Sequence, residues 1–329
     1  MQLHFLVKKG MDKMNKIAFI FPGQGAQYPG MGKDFYDSYE TAKRVITLAG
    51  KETGINMEEL LYTENEKLNQ TEYTQIAMFA TEAAILKVLE EKGIKADMCA
   101  GLSLGEYGAL AAAKVMELGD LCRLIRKRGL YMQEAYPQGG AMTAVLGLDA
   151  DIINEICEKV SAEKNKGTVS IANYNCPGQI VITGKKEAVE DATDKLQQAG
   201  AKRCVPLKVS GPFHSILLEN AGKQIGEEIK HVKVCNPEIP YYCNVSAEAV
   251  TDKEQVKSLL EKQISSSVRW QQSIEKMIAD GADTFIEIGP GKTLSGFMRK
   301  IDRNVRMMNV ETVEDLQKVT EALSKEAAC

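Results

Sequence analysis

The chain has 329 residues, of which 44% are hydrophobic and 26% charged, and a formal net charge of −4. That length suits a large core with a smaller satellite, and the composition excludes a collagen-like, coiled-coil or disordered chain. The acidic balance excludes the Lys/Arg surplus of a nucleic-acid footprint.

Eight cysteines without any C-x-x-C spacing read as reduced thiols packed as small hydrophobes, which fits a cytoplasmic protein. No apolar run reaches the roughly 18 residues of a membrane span, because Asp97, Glu106 and Lys114 interrupt the most apolar stretch. Residues 1–13, MQLHFLVKKGMDK, have too short an apolar patch for a secretory signal and carry their lysines after it, so they read as an N-terminal appendage.

From Lys16, KIAFIF is a buried strand stopped by PGQG, a loop glycine-rich enough for backbone to approach a ligand. Helical patterns over 35–53 and 75–92 follow, and then MCAGLSLGEYGALAAAKV turns a strand sharply into an Ala-rich helix. Such alternation predicts a parallel sheet covered on both faces. Between 140 and 208 the order becomes strand, helix (150–164), strand, strand, helix (185–199), strand, which is the ferredoxin-like arrangement. The expected fold is α/β: an α/β-hydrolase-like core with a parallel sheet, formed by 14–139 and 209–329, with a ferredoxin-like small subdomain inserted at 140–208. YYCNVS and DTFIEIG read as two more strands of the large sheet.

The sharpest chemical signal is Gly101-Leu102-Ser103-Leu104-Gly105 between an apolar run and a helix. Glycines in such an elbow remove Cβ clashes from a strained turn, so the serine stands at the sheet's end and the following N–H faces an incipient oxyanion. Ser103 is the candidate nucleophile, and it needs a base. Of three histidines, His4 lies in the appendage and His231 in the charged stretch EEIKHVKV, which leaves His214 in the loop VSGPFH as the candidate.

In LCRLIRKRGLYMQEA, Leu121, Leu124, Ile125 and Met132 form one helical stripe with Arg128 near its centre, while Arg123, Arg126 and Lys127 take the solvated side. An inward guanidinium needs an anion: either an internal Asp or Glu, or a substrate carboxylate that it can grip bidentately. Gly291-Lys292-Thr293 after a strand suggests a phosphate loop, but that motif needs a glycine where Ile286 stands.

FPGQGAQ (21–27), GLSLGEYGAL (101–110), RKRGLYMQEA (126–135), NYNCPGQIVITG (173–184), VSGPFH (209–214), QISSSVRW (263–270) and EIGPGKTLSG (287–296) together resemble the malonyl-CoA:acyl carrier protein transacylase family, which is shared with polyketide synthase acyltransferase domains. The resemblance spans about residues 16–310. It implies Ser103 as acyl-accepting nucleophile, His214 as general base and acid, and Gln263 as the residue whose main-chain carbonyl orients that histidine. It further implies Arg128 as the clasp of the malonyl carboxylate and Gln24 and Leu104 as donors of the oxyanion hole. Phe213 resembles the bulky choice that disfavours an α-methyl group, and Met132 would line the substrate site. Leu102 stands where the family usually has histidine, which leaves fine specificity open.

The implied reaction is malonyl transfer from malonyl-CoA to the phosphopantetheine thiol of acyl carrier protein in fatty-acid synthesis, with both thiol compounds as substrates and no cofactor or metal. A monomer is expected, with no nucleic-acid or membrane partner and with Lys202, Arg203, Arg299, Lys300 and Arg303 as candidate contacts for an acidic carrier protein. The alternatives are a trans-acting acyltransferase of a polyketide synthase, a serine hydrolase or thioesterase, and a non-catalytic scaffold.

Overall fold

The computed structural model describes residues 16–163, 166–209 and 211–327, so the appendage at 1–13, His4 included, lies outside the described residues. Among the described residues ten strands form two sheets. The first contains β1 (Lys16–Phe21), β2 (Met98–Gly101), β7 (Tyr241–Tyr242), β8 (Ala249–Val250), β9 (Ala282–Ile288) and β10 (Arg306–Val310), in the order β10-β9-β1-β2-β7-β8. All its neighbouring pairs are parallel except β7 with β8. The second contains β3 (Gly140–Leu146), β4 (Val169–Cys176), β5 (Gln179–Lys185) and β6 (Arg203–Pro206), antiparallel throughout in the order β4-β5-β3-β6. The expected mixed α/β architecture with a parallel sheet is therefore present, together with a separate antiparallel sheet.

A parallel strand covered on both faces has to be apolar along its length, and β1 (KIAFIF) is buried over its last four residues. One face of the sheet packs on a core built around the helix Thr71–Glu91, which is buried nearly all round and lies against the helix Leu118–Ala135. The other face packs on the helices Trp270–Ala279 and Thr293–Ile301. The helices Ala150–Ala162 and Lys186–Gln198 cover one face of the second sheet through the core around Val145, Ile171 and Ile182. Val268, in the segment before the helix Trp270–Ala279, is tied to β4: its N–H donates to Ala172 O at 2.7 Å, and its carbonyl accepts from Tyr174 N at 2.9 Å.

Three local expectations are corrected. The helix over 35–53 is two helices, Lys33–Ser38 and Glu40–Thr53, because Tyr39 is extended (φ −128°, ψ 120°) after the weak helix formers Asp37 and Ser38. β10 adds an edge strand whose half-buried sequence RMMNV carries no apolar run. Arg126 and Lys127 are half-buried in ion pairs with Glu72 (2.7 Å) and Glu228 (2.5 Å) rather than solvated.

Glu287, near the end of β9, explains why the GPGKT turn is not a phosphate loop. Its buried carboxylate accepts from Leu294 N and Ser295 N, both at 2.9 Å, and from Ser295 Oγ at 2.5 Å. It thus fills the anion position at the start of the helix Thr293–Ile301 with the protein's own charge. Replacement by alanine would leave three buried donors without an acceptor. We expect Glu287→Ala to lower the unfolding free energy by about 2–4 kcal/mol, read from the urea midpoint. An unchanged midpoint would show that the cap contributes nothing.

Candidate active site

β2 ends at Gly101, and the chain turns through Leu102 into the 3₁₀ turn Ser103–Gly105 and the helix Glu106–Ala112. Ser103 is left-handed at φ 55°, a conformation that costs a non-glycine residue about 1–3 kcal/mol and persists only when its surroundings enforce it. They do so by contact. A Cβ on Gly101 would lie 1.9 Å from the Gly105 carbonyl, and one on Gly105 would lie 2.3 Å from Phe21 O. The two glycines of G-x-S-x-G are therefore required by the close approach of the helix start to β1 and β2. Asn244, just after β7, clamps the turn: Ser103 N donates to its Oδ1 and its Nδ2 donates to Gly101 O, both at 2.7 Å.

His214 lies on a loop after β6, is buried, and is itself left-handed at φ 59°. Its Nε2 is 2.7 Å from Ser103 Oγ and its Nδ1 is 3.0 Å from the Gln263 carbonyl oxygen. A carbonyl only accepts, so Nδ1 carries the proton and Nε2 is free to receive one from the serine. Burial first, and then the nearby Arg128 charge, lower the His214 pKa from 6.5 to about 4. The imidazole is therefore neutral and able to act as a base at physiological pH.

Arg128 is fully buried in the helix Leu118–Ala135 and makes no ion pair among the described residues. Neutral groups hold it instead. Nη1 donates to Gln75 Oε1 at 2.7 Å, and Nη2 donates to Gln263 Oε1 at 3.0 Å and to Ser103 Oγ at 3.1 Å. Its Cζ lies 5.7 Å from the centre of the Tyr107 ring, and Nε is without a partner. Burial pulls its pKa down, opposed by Tyr107 and Glu106. Of the two anions that the sequence left open, an internal acid in contact is not present.

A cleft of about 170 Å³ opens between the parallel sheet's ends and the second sheet. Ser103, His214, Gln24, Leu104, Met132 and Phe213 all line it. Arg128 lies behind this wall, and its guanidinium reaches the serine oxygen from within the core. Leu104 is the second residue of the 3₁₀ turn, where N–H groups lack partners within the helix. Gln263 ends the helix Lys253–Gln263 and does more than present a carbonyl, because its Nε2 also donates to Ser103 O at 2.9 Å and to Glu106 Oε2 at 2.8 Å. Sequence reasoning missed Gln75, Asn244 and Glu106. Glu106 alone left a trace, as an acid inside an apolar Ala-rich helix.

Comparison with known proteins places the chain in a family. The acyl transferase domain family matches residues 18–325. A malonyl CoA-acyl carrier protein transacylase of Bacillus subtilis is 42% identical over 315 residues, which is 95% of this chain and 99% of that one. The transacylase structure from Streptococcus pneumoniae superposes with a TM-score of 0.89 at 47% identity, covering 93% of this chain and 100% of that chain. A malonyl-transacylase solved in complex with its type II polyketide synthase acyl-carrier protein gives 0.90 at 36% identity, covering 94% and 100%. Near-complete coverage at such identities leaves one assignment: the chain belongs to the acyl transferase domain family, among its malonyl-CoA:acyl carrier protein transacylases.

Proposed function

We propose that this enzyme transfers the malonyl group of malonyl-CoA to the phosphopantetheine thiol of acyl carrier protein, supplying extender units for fatty-acid synthesis. Ser103 Oγ attacks the thioester carbon while its proton passes to His214 Nε2. The N–H groups of Gln24 and Leu104 hold the oxyanion, the C–S bond breaks, and CoA leaves as a thiol protonated by His214. The carrier thiol then gives its proton to His214, attacks the malonyl-Ser103 ester and regenerates the serine, so the kinetics are ping-pong. No cofactor enters this balance. One observation carries the reading: a buried guanidinium, without an ion pair among the described residues, donates to the nucleophile's oxygen. A malonyl ester places a carboxylate within reach of that cation, and an acetyl ester does not.

A serine hydrolase or thioesterase would gain nothing from that cation, and a scaffold would gain nothing from a formed Ser–His hydrogen bond. The relative solved with a polyketide carrier protein supports a second reading, the same chemistry serving a polyketide synthase, and a panel of carrier proteins separates the two. Phe213 in the cleft wall next to His214 supports malonyl over methylmalonyl, and Leu102 adds an apolar side chain to the same cleft. We read 14–139 with 209–329 as a hydrolase-like core and 140–208 as a ferredoxin-like insertion, acting as a cytoplasmic monomer. Among the described residues no helix is long and apolar enough to cross a membrane.

Intact-mass analysis after mixing with malonyl-, methylmalonyl- and acetyl-CoA should show a malonyl adduct on wild type and none on Ser103→Ala. Losing a desolvated charge-assisted contact costs about 2–5 kcal/mol, so Arg128→Ala should lower malonyl-CoA kcat/KM roughly 30- to several-thousand-fold and acetyl-CoA turnover little. Equal losses for both substrates would make Arg128 structural.

The pH dependence follows from His214. A base whose pKa is depressed loses activity only when acid protonates it, so the acid limb of kcat/KM should fall near pH 4 and not near 6.5. Arg128→Ala removes one lowering cause and should move the limb upward, followed with acetyl-CoA. A wild-type limb at 6.5 would contradict the buried neutral base.

Lys202, Arg203, Arg299, Lys300 and Arg303 are all exposed, and Arg299 and Lys300 share the helix Thr293–Ile301 with the cleft residues Leu294 and Phe297. The KM for an acidic carrier protein should therefore rise with salt, and a salt-independent KM removes these residues from the docking surface.

A further inference from the structure

The helix that follows the serine carries an acid that this cycle does not use. Glu106 is completely buried at the start of the apolar helix Glu106–Ala112. Its Oε2 accepts from Gln263 Nε2 at 2.8 Å and from the main-chain N–H of Asn244 at 3.1 Å, and its Oε1 has no partner. Both partners hold the serine turn. Asn244 binds Ser103 N and Gly101 O through its side chain, and Gln263 donates to Ser103 O. Gln263 also faces His214 with its carbonyl and Arg128 with its Oε1. One carboxylate oxygen is thus the common anchor of two segments that fix the serine backbone, the histidine ring and the guanidinium.

We propose that Glu106 is the positioning residue of this site, holding Asn244 and Gln263 in register so that Ser103, His214 and Arg128 meet. It contacts none of the reacting atoms and acts at one residue's remove. What the role needs is reach and an acceptor. The Gln263 amide separates Glu106 from Arg128, donating to the acid with one end and accepting from the cation with the other. Burial pushes the Glu106 pKa up to about 7, opposed by Gln263, Asn244 and Arg128, so near neutral pH the site holds the protonated acid as well as the anion. Both forms keep an oxygen that can accept from Gln263 and Asn244.

Two substitutions separate reach from charge. Glu106→Gln keeps the length and an accepting oxygen and loses the charge, whereas Glu106→Asp keeps the charge and withdraws the oxygen by one methylene. Misplacing a catalytic group by about 1 Å costs on the order of 100-fold. We therefore expect E106D to lower kcat about 100-fold with malonyl-CoA and acetyl-CoA alike, with KM little changed, and E106Q to stay within several-fold of wild type. Thermal melts confirm that each variant is folded. E106D at wild-type rates, or E106Q as slow as E106D, overturns the proposal.

The inference rests on the malonyl-transfer reading, so the assay includes labelling of Ser103 by a neutral fluorophosphonate, which needs no malonyl group. Wild type that takes the probe but no malonyl adduct would end that reading, while the order of E106Q and E106D in labelling rate still decides the role of Glu106.

Discussion

The site is organised around a full positive charge inside the protein that no side-chain carboxylate among the described residues touches. Burying a guanidinium costs several kcal/mol unless its donors are satisfied, and here the amide oxygens of Gln75 and Gln263, with the hydroxyl of Ser103, satisfy two of its three nitrogens. An ion pair would have been the cheaper structural solution and would have neutralised the charge. Holding it with neutral acceptors leaves the cation's field directed at the serine oxygen. The same field lowers the basicity of His214, so in the proposed cycle anion recognition and proton transfer are coupled through one group.

Two of the four non-glycine residues with positive φ among the described residues meet at the same place. Ser103 and His214, whose side chains meet at 2.7 Å, are both non-glycine residues with left-handed backbones. Neither conformation is intrinsically favoured, and each is enforced by its surroundings. At Ser103 the enforcement is visible as main-chain bonds to Asn244 and Gln263 and as the two glycines that admit the helix start against β1. At His214, Ser215 Oγ donates to Pro212 O at 2.8 Å and ties the loop across the histidine.

What the sequence made legible follows from locality. The elbow could be read because its cause, close approach around Gly101 and Gly105, is encoded within five residues. Arg128 could be read because one helix carries both the stripe and the exception to it. The strands β1, β2 and β9 announced themselves as apolar runs, whereas β10 did not, because an edge strand need not be apolar on both faces. Gln75, Asn244 and Glu106 were illegible for another reason: their meaning lies in partners 53, 141 and 157 residues away along the chain. Buried polar residues gain their roles from tertiary hydrogen bonds, which periodicity cannot carry. The break at Tyr39 is different, because its cause is local: the weak helix formers Asp37 and Ser38 precede it inside a pattern whose apolar spacing runs on.

A histidine of low basicity facing a carbonyl in place of a carboxylate resembles a weakened hydrolase, yet transfer between thiols rewards that weakness. Attack on the malonyl ester by thiol and by water expels the same serine, so the two differ in the proton that the base must remove. A thiol, with a pKa of about 8.5, releases its proton about 7 units more readily than water at about 15.7, a difference of roughly 10 kcal/mol. A strong base would narrow the kinetic advantage of the thiol, and a weak one preserves it. In the proposed cycle the malonyl carboxylate also cancels part of the Arg128 field once it is seated, easing the smaller of the two causes that depress His214. Burial, the larger of the two causes, persists in the acylated site, so the histidine stays a weaker base than an ordinary imidazole at the step where thiol and water compete.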